Sequence, residues 1–267
     1  MSTKKYNWLP WPVRMLGRFV LRRIADFSNH FSRENLYRYL DKEIRVLNEA
    51  PKRTRVLNVG AGGQIAHHVS RLDNSDVTTI DIDPDRGPEF VVDVCNMHCF
   101  RDGTFDFIFM MEVLEHVRDP HVALSEIQRV LKPGGKMLMS TPFVFEAHDV
   151  PHDYYQFTKF GLQYLLRDYA SVEVHARNGY LKSCIVPVLR LYKSRYVTDV
   201  CFGLMFMAFV FVTYPLIWLL NKLVRSDDAT SGYVALCTKA HTVLTAESQQ
   251  ETLNEGLALS AIAAESN

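Results

Sequence analysis

Val56-Leu57-Asn58-Val59-Gly60-Ala61-Gly62-Gly63, followed by Thr79-Ile80-Asp81-Ile82-Asp83, are the two stretches that decide the fold. An apolar run enters a glycine-rich turn, and about twenty residues after the first glycine an acid closes a second apolar run, the pattern of a nucleoside-binding βαβ unit. Glycines let backbone approach a ligand without interference from a Cβ, and the Asp81 carboxylate can accept both hydroxyls of a ribose.

The chain continues this alternation outward. Strands are expected at 55–59, 77–82, 89–94, 105–111, 136–142, 171–177 and 232–239, with helices at 13–27, 33–48, 66–72 and 158–169. Another helix starts at Asp119-Pro120, an N-cap followed by proline, buries Val122, Ala123, Ile127, Val130 and Leu131, and stops at the turn Lys132-Pro133-Gly134-Gly135. Strand and helix in turn make an α/β class with a parallel sheet.

The chain has 267 residues, 48% of them hydrophobic, enough for one full domain and terminal extensions. Thirty basic and thirty acidic residues cancel, so overall charge offers nothing to nucleic acid. Five cysteines without a CxxC pair argue against a disulfide framework and for a reducing compartment.

The segment from Asp102-Gly103-Thr104-Phe105-Asp106 to Met111-Glu112-Val113-Leu114-Glu115-His116-Val117, then Arg129-Val130-Leu131-Lys132-Pro133-Gly134-Gly135, resembles the class I S-adenosylmethionine-dependent methyltransferases over roughly residues 55–239. The resemblance implies a Rossmann-like seven-stranded sheet with helices on both faces, S-adenosylmethionine as cofactor, and a cofactor set of Asn58, Gly60, Ala61, Gly62, Asp81, Ile82, Asp93, Met111 and Glu112. In it Asp81 holds the ribose diol and Asp93 meets the adenine amino group. Asn58 stands where the family usually has an acid, and Gln64 where a third glycine is common.

Glu112, Glu115 and His116 have i, i+3, i+4 spacing, which predicts one helical face at the carboxyl end of the fourth strand, where ligands bind in open α/β sheets. The candidate catalytic residues are His148, His152, Glu115 and His116, with a histidine general base, His148 or His152, preferred. A divalent metal held by Glu112, Glu115, His116 and His152 is the alternative, resembling the Glu-x-x-Glu-His arrangement of small-RNA 2′-O-methyltransferases and ubiquinone-pathway O-methyltransferases. The stretch from His148 to Thr158 resembles a loop of methyltransferases in polysaccharide and lipid-glycan synthesis, whose Tyr154, Tyr155 and Phe157 can wall an acceptor pocket or simply pack.

Val200 to Leu220 carries no charge and is long enough to cross a membrane, yet it lies between strands expected to pair with each other. A complete crossing would part them, so a re-entrant or in-plane hairpin bent near Pro215 is expected, with Tyr214 and Trp218 at the interface and Lys222 and Arg225 toward anionic headgroups. At the amino terminus Val13, Leu16, Val20, Ile24 and Phe27 would form an apolar stripe beside Arg14, Arg18 and Arg22, a pattern shared by membrane-surface helices and by helices packed on their own domain. The resulting organisation is a basic helical extension (1–50), a methyltransferase domain (51–180 and 231–240), a hydrophobic membrane-contacting insertion (181–230) and a disordered tail (241–267).

Function is accordingly expected to be O-methylation of a small-molecule or lipid-linked, glycan or quinone-like acceptor at the cytoplasmic face of a membrane, without nucleic acid; the residues set no oligomeric state. A metal-dependent RNA or nucleotide 2′-O-methyltransferase and an inactive membrane-bound scaffold are the alternatives, the latter motivated by Asn58 and Gln64.

Overall fold

A computed structural model describes residues 11–224, 226 and 228–241; for 11–22, Ile24 and His30 it describes the backbone only. The expected apolar and arginine stripes therefore lie almost wholly outside the described side chains, and the expected disordered tail outside the described residues from 242 onward.

Seven strands form one sheet: β1 (Thr54–Val59), β2 (Ser75–Asp81), β3 (Phe90–Val91), β4 (Phe105–Met111), β5 (Leu131–Pro142), β6 (Ser171–Ala176) and β7 (Gly232–Thr238), in the order β3-β2-β1-β4-β5-β7-β6. β1 to β5 pair in parallel, while β7 runs antiparallel between β5 and β6. Ligand-holding loops of the parallel strands thus collect at one edge of the sheet, with the order reversing between β1 and β4.

Alternation along the strands divides the core. In β4, Ile108 and Met110 face one layer with α3 (Pro120–Val130) and α4 (Lys159–Leu165), while Phe107, Phe109 and Met111 face α2 (Gly63–Val69) and the second half of α1 (Trp11–Asn48). Phe105 joins the first layer although it is two residues from Phe107, because the register with β5 shifts between them.

The two expected amino-terminal helices run on as α1, Trp11–Asn48, kinked at Arg33 (φ −125°, ψ 20°), where the second was expected to begin. Two expectations are corrected. The third strand shrinks to Phe90–Val91, both exposed, since only two registers with β2 form. Between β6 and β7 lie α5 (Tyr180–Leu189), a tight turn at Arg190–Lys193 and α6 (Val197–Leu223). α6 does not double back at Pro215; it continues to Leu223 with the proline inside it, and the hairpin is instead α5 against α6. Gly203, Met207 and Val210 form the buried stripe of α6, packed with Phe31, Phe145, Val186, Leu189 and Tyr192. Most of its remaining surface is apolar and exposed, including Met205, Phe211, Val212, Leu216 and Leu219.

Candidate active site

The first half of the site follows β1. Gly60 turns the chain at φ +91°, and a Cβ there would lie 2.9 Å from Val113 Cγ2, so both conformation and space require glycine. Asp81 sits nearly buried at the end of β2, where its two oxygens accept the backbone N–H groups of Ala61 and Asp83, each at 2.9 Å. Those bonds aim the carboxylate across the turn and leave acceptor capacity free. Ile82 beside it is 69% exposed, an apolar face at the cleft rather than in the core. Asp93 accepts the Cys95 N–H through Oδ1, which fixes its orientation. Asn58 is buried, donating to the Gly60 carbonyl at 3.0 Å, with Oδ1 unpartnered. Gln64, at the expected third-glycine position, accepts from the Tyr37 hydroxyl and ties α2 to α1. Met111 packs in the α1 layer of the core, so its side chain is not at the cleft.

The second half follows β4 and β5. Glu112, Glu115 and His116 do not share a helical face. Glu112 takes a left-handed φ of 57°, and the short 3-10 turn Leu114–His116 begins only after it. Glu112 is thereby turned toward Arg177, which donates to both of its oxygens, and Ser140, at 2.9 Å, with Arg33 3.7 Å away. Arg177 reaches Glu112 from the end of β6 by crossing β7 and β5. Its path lies over Gly232, where a Cβ would be 2.7 Å from the guanidinium and 2.3 Å from the Thr141 carbonyl.

Glu115 points elsewhere, fully buried, with neither oxygen hydrogen-bonded. His116 Nε2 and His148 Nε2 each lie 3.8 Å from Glu115 Oε1, and His148 Nδ1 is 3.3 Å from Asp153 Oδ2. The His116 Nδ1 faces the His152 carbonyl at 2.9 Å, so that nitrogen carries the proton and Nε2 is the basic one. Burial drives the Glu115 carboxyl above the usual carboxylate range. Burial alone would depress His148, but the Glu115 and Asp153 carboxylates outweigh it and hold the imidazole above its ordinary value.

Of the four expected candidates the structure brings together Glu115 and His116, with His148 beside them, and turns Glu112 and His152 to other partners. Glu115, His116 and His148 present ligand atoms within 4.8 Å of one another. The His152 ring instead meets the Tyr154 hydroxyl at 2.9 Å. Arg177 and Arg33 were missed, since nothing near Glu112 in sequence points to arginines so far away; Asp153 was visible beside the histidines of its loop.

The β5 loop is fastened to this cluster, since the Tyr154 and Tyr155 N–H groups both donate to the Glu115 carbonyl. Tyr155 also donates to the Arg118 carbonyl and Arg118 donates to the Tyr154 hydroxyl, which leaves both rings partly exposed beside the histidines. Phe157 is core packing, not pocket wall. Arg86 links the two halves: its guanidinium lies 4.0 Å from Asp81, 3.5 Å from Asp83 and 3.5 Å from Asp149, next to His148.

A model of the methyltransferase domain family matches residues 29–170. The chain is similar to the ubiquinone biosynthesis O-methyltransferase of Xanthomonas oryzae pv. oryzae (strain PXO99A), 37% identical over 102 residues, covering 33% of this chain and 42% of that protein. It is also similar to the protein of the same name from Xylella fastidiosa (strain 9a5c), 31% identical over 106 residues, covering 33% and 41%. The match thus spans less than half the length of these curated relatives. Among solved structures, a SAM-dependent methyltransferase from Archaeoglobus fulgidus shares the fold, with a TM-score of 0.51 at 16% identity, covering 80% of this chain and 98% of that one.

Proposed function

The chain belongs to the methyltransferase domain family, and on that premise we propose that it is an S-adenosylmethionine-dependent O-methyltransferase whose hydroxyl acceptor is lipid-linked, glycan or quinone-like and is presented at a membrane surface. The observation that carries the reading is the Glu115–His148–Asp153 cluster, its glutamate fully buried, at the same sheet edge as the glycine turn and one arginine away from Asp81. The residues present fit the cofactor: Gly60 leaves a cradle that a Cβ would fill, and Asp81 offers a pre-aimed carboxylate to a ribose diol.

S-adenosylmethionine, when bound, supplies a methyl group on a positively charged sulfur. The chain supplies position and proton transfer. Asp81 would hold the ribose and Asp93 the adenine amino group, while Ile82 offers its apolar face to the base. Tyr154 and Tyr155 would wall the acceptor. His148 would take the hydroxyl proton as the new carbon–oxygen bond forms and the carbon–sulfur bond breaks, its electron pair staying on sulfur, and Glu115 and Asp153 would keep the resulting imidazolium in place.

Titrating S-adenosylmethionine into the wild type and Asp81→Ala tests this. Binding by the wild type that weakens about tenfold or more in the variant is expected; no binding by the wild type leaves an inactive scaffold and sinks the enzyme.

One observation favours a second role for the same cluster. Both Glu115 oxygens are buried without a donor, and with His116 and His148 they form a mixed oxygen and nitrogen donor set that fits a divalent cation. Such an ion would lower the pKa of a bound hydroxyl and relieve His148 of the proton. Activity that persists undiminished in a chelator removes this role.

The membrane part rests on α6, an exposed helix with an 18-residue stretch of mean hydropathy 2.2. Lys193 and Arg195 precede it and Lys222 stands near its end, over the Trp218 ring at 3.5 Å. Cations and an indole at the ends of an apolar helix suit a helix lying in the headgroup boundary. β6 and β7, which flank the insertion, pair directly with each other, so both ends of the insertion belong on one side of a bilayer.

A further inference from the structure

Beside the candidate base is a second cluster whose charges do not balance. Glu112 is shared by Arg177 and Arg33, and Glu146 is shared by Arg190 and Lys193. Four cations therefore face two carboxylates. Arg177 and Arg190 are buried, Arg33 is 18% exposed at its side chain, and Lys193 is 43% exposed, so the cluster has a floor of fixed guanidiniums and a mouth at Lys193.

Three elements bring these residues together. Arg33 is where α1 breaks, Glu146 follows β5, and Arg190 and Lys193 form the turn between α5 and α6. Hydrogen bonds lock the junction: Asn35 donates to the Ala176 and Arg177 carbonyls, Asn178 to the Phe31 carbonyl, and Ser231 to the Ser32 carbonyl. Arg190 is further held by Asn29 at 3.3 Å. Of the other acids on this part of α1, Glu34 is paired with Lys182 and Asp26 is exposed. Burial, Arg190 and Arg33 depress the Lys193 ammonium despite Glu146, which agrees with a surplus of positive charge. Unpaired charge in a half-buried place is costly, and an anion brought there would relieve it.

The cluster adjoins the chemistry. One face of Phe145 carries the Arg190 guanidinium 4.3 Å from its centroid, and the same ring lies 5.4 Å, centroid to centroid, from His148. Phe145, Phe31 and Tyr192 continue into the apolar layer beneath α6.

We propose that Arg33 and Lys193, backed by Arg177 and Arg190, seat a phosphate-class anion of the acceptor, so that the methylated hydroxyl lies one aromatic ring away at His148 and any lipid tail follows α6. This rests on the methyltransferase reading and names the acceptor's chemical class. Arg33 and Lys193 are positioning residues.

The test uses the full chain and two probes, inorganic pyrophosphate and short-chain dihexanoyl phosphatidic acid, titrated into the wild type, Arg33→Gln, Lys193→Gln and Lys193→Arg, with and without saturating S-adenosylhomocysteine. Each glutamine variant is expected to weaken anion binding about tenfold or more, with Lys193→Arg close to wild type and S-adenosylhomocysteine affinity unchanged in Lys193→Gln. Tighter binding of the lipid phosphate assigns a lipid-borne acceptor; equal binding assigns a soluble phosphorylated one, and both support the seat. The proposal is overturned if a wild type that binds S-adenosylhomocysteine binds neither probe, if the variants bind as the wild type does, or if S-adenosylhomocysteine displaces the anion, which would make the cluster the seat of the cofactor's own carboxylate. A wild type that fails to bind S-adenosylhomocysteine fails the methyltransferase reading instead, and the phosphate seat is then judged by the variants alone.

Discussion

At the scale of single residues, the sharpest consequence concerns His148. A base must be unprotonated to act, and the Glu115 and Asp153 carboxylates hold this imidazole protonated to a higher pH than usual, so kcat/KM should rise with pH through a limb above the ordinary histidine range. Asp153→Asn removes one of those charges and should move the limb to lower pH; His148→Gln should cost about 10²–10⁴ in kcat. A pH profile of both variants checks this, and an unmoved limb in Asp153→Asn would detach the aspartate from the base. The same shift has a stability sign: with the folded value raised, the imidazolium stabilises the fold fully below the unfolded value and that contribution fades as pH climbs through the folded one. Gly232 makes a second prediction. Gly232→Ala would put a methyl 2.3 Å from the Thr141 carbonyl and 2.7 Å from Arg177, and should lower stability by about 1–3 kcal/mol, read as a lower urea midpoint at an unchanged slope. The sequence showed the glycine turn and Asp81 plainly, because their signal is local. It misjudged Glu112, whose helical spacing with Glu115 looked decisive; the left-handed turn there is stabilised by Arg177, sixty-five positions away in the chain, and no local pattern records such a partner.

At the scale of elements, α6 carries the prediction. Helical periodicity survives only as the stripe Gly203, Met207 and Val210, while Val212, Leu216 and Leu219 stand exposed. Val212→Glu with Leu216→Glu should abolish flotation with vesicles containing phosphatidylglycerol, since each replaced side chain forfeits about 1.5–3 kcal/mol of apolar burial, and should leave thermal unfolding near wild type because neither residue is in the core. Flotation that survives the pair would return the apolar face to a protein partner. Element type was legible for β1, β2, β4, β5, β6 and β7, where apolar alternation meets turn residues. The two amino-terminal helices were legible too, their kink falling at Arg33 beside Glu112. The bend expected in α6 was an error: the helix outlasts Pro215 because a proline costs a helix one hydrogen bond and a kink but does not force reversal.

At the scale of the whole molecule, the order β3-β2-β1-β4-β5-β7-β6 puts the proposed cofactor half and the proposed acceptor half on one edge, and the insertion between β6 and β7 hangs beside that edge because β6 ends at Arg177, the floor of the cationic cluster. The parallel unit was readable from the spacing of glycine turn and acid, and the pairing of β6 with β7 from family resemblance alone; that β7 runs antiparallel was not. The curated relatives share only about a third of this chain, and α5 and α6 lie beyond the 29–170 family match, so neither comparison informs the insertion or its Arg190 and Lys193. A direct measurement follows from that architecture. The purified protein is incubated with S-adenosylmethionine bearing a deuterated methyl group and a total lipid extract, and organic and aqueous phases are scanned by mass spectrometry for species that gain the labelled group. If α6 and the cationic cluster act together, label enters the organic phase, in species carrying phosphate, and disappears with Asp81→Ala. Label confined to the aqueous phase would detach the membrane from the acceptor while leaving the methyltransferase intact. Label in organic species without phosphate would instead leave α6 its role and take the acceptor's anion away from Arg33 and Lys193.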